Sequence, residues 1–387
     1  MLKIVFINRY PLYSRKIDAY EPGEDAFYLF GMGQFIADEF RKRGYPVKFE
    51  NWRMDLRLQK TMEKEVNGIY CRIFPAKELR LLSEFSIPML KALRQARKEK
   101  EVVFHFMGVH LLAYHVYAAA VSRRTIIATH LGGPNPFYKF YSMGNRISLS
   151  YYLLERYLLL KPYNHFVSIS TEEANYFNRV RKPVTRMPIV GVPNVHLLTI
   201  RDRAKSRKLL GLPVHKRIIL QVGRAMEDRG FDWILDILRS QNYNRDYHFV
   251  FAGVHEEDDY YKPLVDQNQH VTGYLTIREL AEYYNAADVL IYLPHGKMDL
   301  KFAGTSYVPL EALVCGTPVV ATTFVSFPGP DVVEVSRIPK TKEDVMPCVE
   351  DILRANINRE RCREIALKYF SWDSVLEKYW RLYNAPQ

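Results

Sequence analysis

The chain of 387 residues has little that would fix a fold covalently or anchor it in a bilayer. Cysteine occurs only at positions 71, 315, 348 and 362, with no Cys-x2-Cys pair and no histidine spacing suited to zinc. A disulfide framework and a zinc module are thereby excluded, and the thiols read as small buried hydrophobes of a reducing compartment. No stretch approaches the roughly 18 uninterrupted apolar residues of a transmembrane helix. The opening Met1-Leu2-Lys3-Ile4-Val5-Phe6-Ile7 is too short an apolar run for a signal peptide and reads as a first buried strand. A cytoplasmic location is therefore expected. Internal repeats, low-complexity tracts and any Asp-x-Asp pair for a divalent metal are also missing.

What is present is an ordinary globular composition, 48% hydrophobic and 25% charged, in a chain long enough for two domains. Tyrosine (27) and phenylalanine (21) are plentiful, which suits filled cores and sugar-stacking surfaces. The net charge of +12 would attract nucleic acid, anionic lipid or a phosphorylated substrate, and charge alone does not choose among them.

Short apolar runs alternate with helix-length amphipathic segments throughout. Strands are expected at Lys3–Ile7, Val47–Glu50, Val102–Phe106, Thr125–Thr129, Phe166–Ile169, Arg217–Gln221, His248–Ala252, Val289–Leu293 and Pro318–Ala321. Helices are expected at Phe30–Lys42, Asp232–Arg239, Ile277–Tyr284 and Val308–Cys315. Continuous β-rich runs alternating with helices predict doubly wound parallel sheets, an α/β class. The pattern restarts after the basic, then Gly- and Pro-broken, segment around 201–213. The expected domains are 1–190, joined by a terminal helix within 371–387, and 191–370; Ser371 is the expected N-cap of that helix. The stretch from Lys77 to Lys98 reads as a basic amphipathic helix broken at Pro88. It could lie on an anionic bilayer or simply present a solvated face.

Chemistry concentrates in two places. In Val222-Gly223-Arg224-Ala225-Met226-Glu227-Asp228-Arg229-Gly230-Phe231 a strand ends in a glycine, and Arg224 and Arg229 precede a helix. Guanidinium forks, turn amides and a positive helix end together suit phosphate; the plain alternative is a surface loop with solvated arginines. Further on, Gly304-Thr305-Ser306 opens a helix that contains Glu311. Helix-opening amides and hydroxyls suit phosphate or sugar oxygens, and a carboxylate can accept from both hydroxyls of a ribose diol. A helix-surface acid is the plain reading of Glu311.

Taken together these segments resemble the retaining glycosyltransferases of the GT-B fold, most specifically glycosyltransferase family 4. The family's Gly-Arg, four residues, Lys-Gly-Phe/Tyr fits Gly223-Arg224 to Arg229-Gly230-Phe231, with arginine in place of lysine. Val271-Thr272-Gly273-Tyr274-Leu275, the passage Tyr283-Tyr284-Asn285-Ala286-Ala287-Asp288-Val289, the string Leu310-Glu311-Ala312-Leu313 to Cys315-Gly316-Thr317-Pro318, and Tyr369-Phe370-Ser371-Trp372 follow in the family's order. The resemblance implies two Rossmann-like domains facing across a cleft and a terminal helix crossing back to the first domain. It also implies donor diphosphate binding by Gly223, Arg224, Arg229, Gly304, Thr305 and Ser306, ribose binding by Glu311, and a base region at Gly273 and Tyr274.

The first half matches more loosely. The family's Gly-Gly loop is absent, with Gly23 and Gly31 as the nearest substitutes on the acceptor side, alongside His105; His110 is a weaker candidate. The first of the family's two glutamates would fall at Ala303, so Asp299 or the amides of Gly304–Ser306 would face the donor sugar instead. His130 matches a histidine that approaches that sugar in the family, and a structural histidine at a strand end is its plain reading.

The expectation is thus a retaining, metal-independent glycosyltransferase, with no cofactor and a nucleotide-sugar donor. Its acceptor would be a glycan or a lipid-linked, polysaccharide or protein-glycan molecule. Peripheral contact with the cytoplasmic face of an anionic membrane is included, and nucleic acid is not an expected partner. Two alternatives stay open: a catalytically weakened GT-B scaffold that binds anionic lipid or nucleic acid, and a sugar-nucleotide epimerase, which would call for a different set of acids.

Overall fold

The computed structural model describes residues 1–8, 32–66, 68–79, 83–108, 112–129, 155–188, 190–240, 246–267, 269–295 and 306–385. It divides into two compact units, Met1–Val190 with Val375–Gln387, and Gly191–Ser374.

The first unit is built on an eight-stranded sheet. Its strands are β1 (Leu2–Asn8), β2 (Val47–Asp55), β3 (Met62–Val66), β4 (Ile69–Pro75), β7 (Val102–Met107), β8 (Thr125–Thr129), β9 (His165–Ser168) and β10 (Val184–Arg186), in the order β10-β9-β8-β7-β1-β2-β4-β3. Every neighbouring pair is parallel except β3–β4. The central strands are apolar because both their faces are covered: Ile4, Val5, Phe6 and Ile7 are all fully buried. The antiparallel edge strand β3 has the sequence Met-Glu-Lys-Glu-Val and stays half in solvent, a charged edge that resists further pairing.

Two sequence expectations change in this unit. The basic segment from Lys77 is not one helix: Lys77–Leu79 (β5) and Ser83–Phe85 (β6) pair as an antiparallel hairpin, and a helix covers only Ile87–Ala96. Ser86 caps that helix by accepting from the Met89 amide at 3.2 Å. Pro88 stands in the first turn, where its missing N–H costs nothing, so it starts the helix rather than breaking it. The amphipathic face expected across 77–98 therefore does not form as a single surface.

His105 also departs from its expected place on the acceptor side. It is fully buried in β7, with Nδ1 2.8 Å from the Tyr383 hydroxyl and Nε2 2.6 Å from Thr129 Oγ1. Burial pushes its pKa down to about 3, so the ring is neutral. With both nitrogens occupied inside the core, it joins the terminal helix Trp372–Tyr383 to the sheet instead of meeting a ligand. At the start of that helix Ser371 Oγ accepts from the Ser374 amide at 3.3 Å, and farther along Trp380 and Tyr383 pack on Phe40.

The second unit has a six-stranded sheet, all parallel: β11 (Arg217–Val222), β12 (Tyr247–Ala252), β13 (His270–Val271), β14 (Val289–Tyr292), β15 (Val319–Ala321) and β16 (Ser336–Arg337). The order is β13-β12-β11-β14-β15-β16. The chain winds outward from β11 to β13, then returns to place β14 on the other side of β11. The strand order thus reverses between β11 and β14, and ligands of open α/β sheets bind at the carboxyl ends of the strands at such a point. Helices Phe231–Arg239, Ile277–Ala286, Tyr307–Val314 and Val345–Ala355 cover the faces. Their buried stripes, such as Phe231, Ile234, Leu235 and Leu238, complete two cores, one on each side of the sheet.

Candidate donor site in the second unit

The residues expected to bind a nucleotide lie at the carboxyl ends of the second sheet, beside its reversal point. β11 ends at Val222, and Gly223 turns the chain with φ +116°, a backbone angle that L side chains rarely adopt. The space around it is open: a Cβ there would meet nothing within 4 Å. The Gly223 amide donates to Ala252 O at 2.8 Å, and Gly253, with φ +78°, donates to Gly273 O at 3.1 Å. Gly223, Gly253 and Gly273 thus form a bare ledge along the ends of β11, β12 and β13. Tyr274, next to it, is 65% exposed.

Arg224 follows on this ledge with its side chain 55% exposed. Its Nε donates to Asp258 Oδ1 at 3.1 Å. The other oxygen, Asp258 Oδ2, accepts from the Ala225 amide at 2.9 Å and the His255 amide at 3.0 Å. Burial on its own would raise the Asp258 pKa, but the His255 and Ala225 amides and then Arg224 outweigh it and hold the carboxyl below the usual range. One buried carboxylate therefore ties the loops after β11 and β12 together and sets the direction of Arg224.

Arg229 closes a short 3-10 turn, and Gly230 (φ +82°) then opens the helix Phe231–Arg239. A Cβ on Gly230 would land on the carbonyl oxygen of Leu293, so only glycine permits this close passage of the two backbones. Arg229 Nη1 donates to the Tyr292 hydroxyl at 2.6 Å, at the carboxyl end of β14.

The helix Tyr307–Val314 carries Glu311, and its N-cap Ser306 makes no side-chain bond to the first turn. The Tyr284 hydroxyl donates to Glu311 Oε2 at 2.8 Å. Part of the Glu311 residue reaches the surface, yet its carboxyl lies among packed atoms. Burial raises its pKa to about 7, offset only in part by the Tyr284 bond. Tyr284 is fully buried, and burial and then the Glu311 carboxylate push its hydroxyl pKa well up. Tyr284, which holds Glu311, and Tyr292, which holds Arg229, belong to the same core cluster.

The structure therefore groups Gly223, Arg224, Arg229, Ser306 and Glu311 around one end of one sheet, with Gly273 and Tyr274 joined to it through Gly253. His130, Asp299, Gly304, Thr305, Gly23 and Gly31 lie outside the described residues. Among the described residues no three His, Cys, Asp or Glu side chains come together to hold a metal ion. Asp258 and Tyr292 were not among the residues singled out from the sequence, and Tyr284 was named there only within a family-like passage, with no role.

Residues 216–353, most of the second unit, match the family model described as Glycosyl transferases group 1. A stretch of 150 residues, 35% of this chain, is 32% identical to D-inositol 3-phosphate glycosyltransferase of Mycolicibacterium gilvum, and spans 31% of that protein's length. Among solved structures, sucrose-phosphate synthase of Thermosynechococcus elongatus superposes with a TM-score of 0.64 at 15% identity, covering 99% of this chain and 98% of that one. Anabaena HepE in complex with UDP gives a TM-score of 0.64 at 14% identity, covering 98% and 99%. The Escherichia coli trehalose-6-phosphate protein bound with UDP-2-fluoro glucose gives 0.65 at 11%, covering 99% of each. The chain therefore has the GT-B fold, and residues 216–353, within its second unit, match the glycosyl transferases group 1 model.

Proposed function

We propose that this protein is a retaining, metal-independent glycosyltransferase that moves a sugar from a nucleoside-diphosphate sugar to a lipid-linked, polysaccharide or protein-glycan acceptor. The observation that carries the proposal is the grouping of Arg224, Arg229 and Glu311 at the reversal point of the second sheet. Cleavage of the anomeric C–O bond leaves negative charge on the departing diphosphate. Two fixed guanidiniums and the amides opening the Glu311 helix stabilise that charge where it develops, which is the role a divalent ion would otherwise serve. Glu311 accepts from the ribose hydroxyls and sets the nucleotide's register on the ledge, with Gly273 and Tyr274 beside the base.

The relatives support a uridine nucleotide, since HepE and the trehalose-6-phosphate protein were solved with UDP compounds. In this reading His130 and Asp299 keep the roles toward the donor sugar that the family resemblance implies, and retention follows from the same resemblance as front-face attack assisted by the leaving phosphate. The first unit supplies the acceptor side. The net charge of +12 suits peripheral contact with an anionic cytoplasmic membrane face.

The test is release of nucleoside diphosphate from a panel of UDP- and GDP-sugars with EDTA present. Release that EDTA leaves unchanged, with retained configuration in any glycoside formed, is the expected result. Absence of release from every donor, or release abolished by EDTA, would contradict the proposal.

A further inference from the structure

We propose that Tyr292 is a positioning residue that aims Arg229 at the donor diphosphate, which deepens the donor-site reading and rests on it. Two independent features fix Arg229 to the end of β14. Its side chain donates from Nη1 to the Tyr292 hydroxyl at 2.6 Å. Its backbone is packed there as well, because Gly230 passes so close to the Leu293 carbonyl that no Cβ fits between them. Residues 229–230 therefore meet residues 292–293 twice, once through a side-chain hydrogen bond and once through close main-chain packing.

Tyr292 is only 4% exposed, so the hydroxyl it presents is itself held in place by the core. The two arginines are held in different ways. Arg224 is paired with the carboxylate of Asp258, which cancels part of its charge. Arg229 forms no ion pair among the described residues. It rests on a neutral hydroxyl, keeps its full charge for the ligand and still loses rotamer freedom before binding.

This arrangement also gives physical sense to the arginine that stands where the resembled family has lysine. A guanidinium can give one Nη donor to Tyr292 and keep a planar fork for two phosphate oxygens, whereas an ammonium gathers all its donors at one point. Tyr292 shares its core cluster with Tyr284, whose hydroxyl holds Glu311 at 2.8 Å.

Calorimetric titration of UDP, GDP and UMP into the unmodified chain, Tyr292→Phe, Arg229→Met and the double variant tests the assignment. Tyr292→Phe keeps the ring and its packing, and thermal melts confirm the fold. It is expected to weaken diphosphate binding by about five- to tenfold, the order of the net contribution of one intramolecular hydrogen bond, and UMP binding by under about twofold. In the Arg229→Met background the same change should cost under about twofold, because the bond it removes is already gone. Undiminished UDP or GDP binding by Tyr292→Phe would overturn the inference, as would equal losses for UDP and UMP or fully additive losses in the double variant. Failure of the unmodified chain to bind UDP and GDP would overturn the donor-site reading itself.

Discussion

Arg224→Ala is expected to lower turnover by about two orders of magnitude or more while the protein stays folded. The rate effect follows from removing one preorganised donor from the charge that develops on the leaving group, a loss of roughly 3–4 kcal/mol in sites of this kind. The preserved fold follows from the local geometry. Arg224 is more than half exposed, and when it is removed Asp258 keeps the Ala225 and His255 amides, so the two loops stay tied. Arg224→Lys should fall between, since it retains a charge but loses the Nε bond that sets its direction. Nucleoside diphosphate release under saturating donor, with a melt recorded on each variant, reads both quantities. Near-normal release by the alanine variant would remove Arg224 from catalysis.

Glu311→Gln should affect binding and stability in opposite directions. Burial raises the Glu311 pKa to about 7, whereas an unfolded glutamate titrates near 4.3. A raised carboxyl pKa means that the folded state holds the proton over that interval. The stability this adds is fully present below about pH 4.3 and is lost as pH rises through 7. Ribose binding needs the other form, because only the ionised carboxylate accepts from both hydroxyls. Nucleotide affinity of the unmodified protein should therefore fall as pH drops from about 8 to about 6, while its ligand-free stability rises.

An amide does not ionise, so Glu311→Gln should melt higher than the unmodified protein at about pH 8. The same variant should bind UDP or GDP about tenfold more weakly or worse, as expected for losing a charge-assisted bond. Its affinity should no longer change across this interval. Titrations and melts at the two pH values measure both effects, and a flat affinity profile in the unmodified protein would separate Glu311 from the ribose.

Much of this was legible in the sequence because it depends on near neighbours. Runs such as Ile4–Ile7 and Val289–Tyr292 read as strands buried on both faces, since a strand with helices on each side has no polar face to show. Gly223 was legible as the glycine that ends a strand, and its φ of +116° is one that other residues rarely adopt. Asp258 did not stand out. In His255-Glu256-Glu257-Asp258-Asp259 it looks like one member of a solvated acidic run, and only the pairing of β11 with β12 brings it to an arginine 34 positions away.

Tyr284 and Tyr292 were hidden for a related reason. Each sits at the end of an apolar segment and reads as core, while its hydroxyl serves a partner 27 or 63 positions distant. His105 shows the converse. A polar residue in an apolar strand looks functional until its partner, 278 positions later on the terminal helix, is known. The β5–β6 hairpin was missed because its short charged strands carry helical spacing as readily as strand spacing.

The most direct measurement is a crystal structure of the protein grown with a nucleoside diphosphate, UDP first and GDP second. The account predicts the two phosphates between the guanidiniums of Arg224 and Arg229, above the Gly223 turn, and the ribose hydroxyls on the Glu311 carboxylate. Density for the nucleotide at any other place, or at this place with neither arginine nor Glu311 in contact, would contradict it.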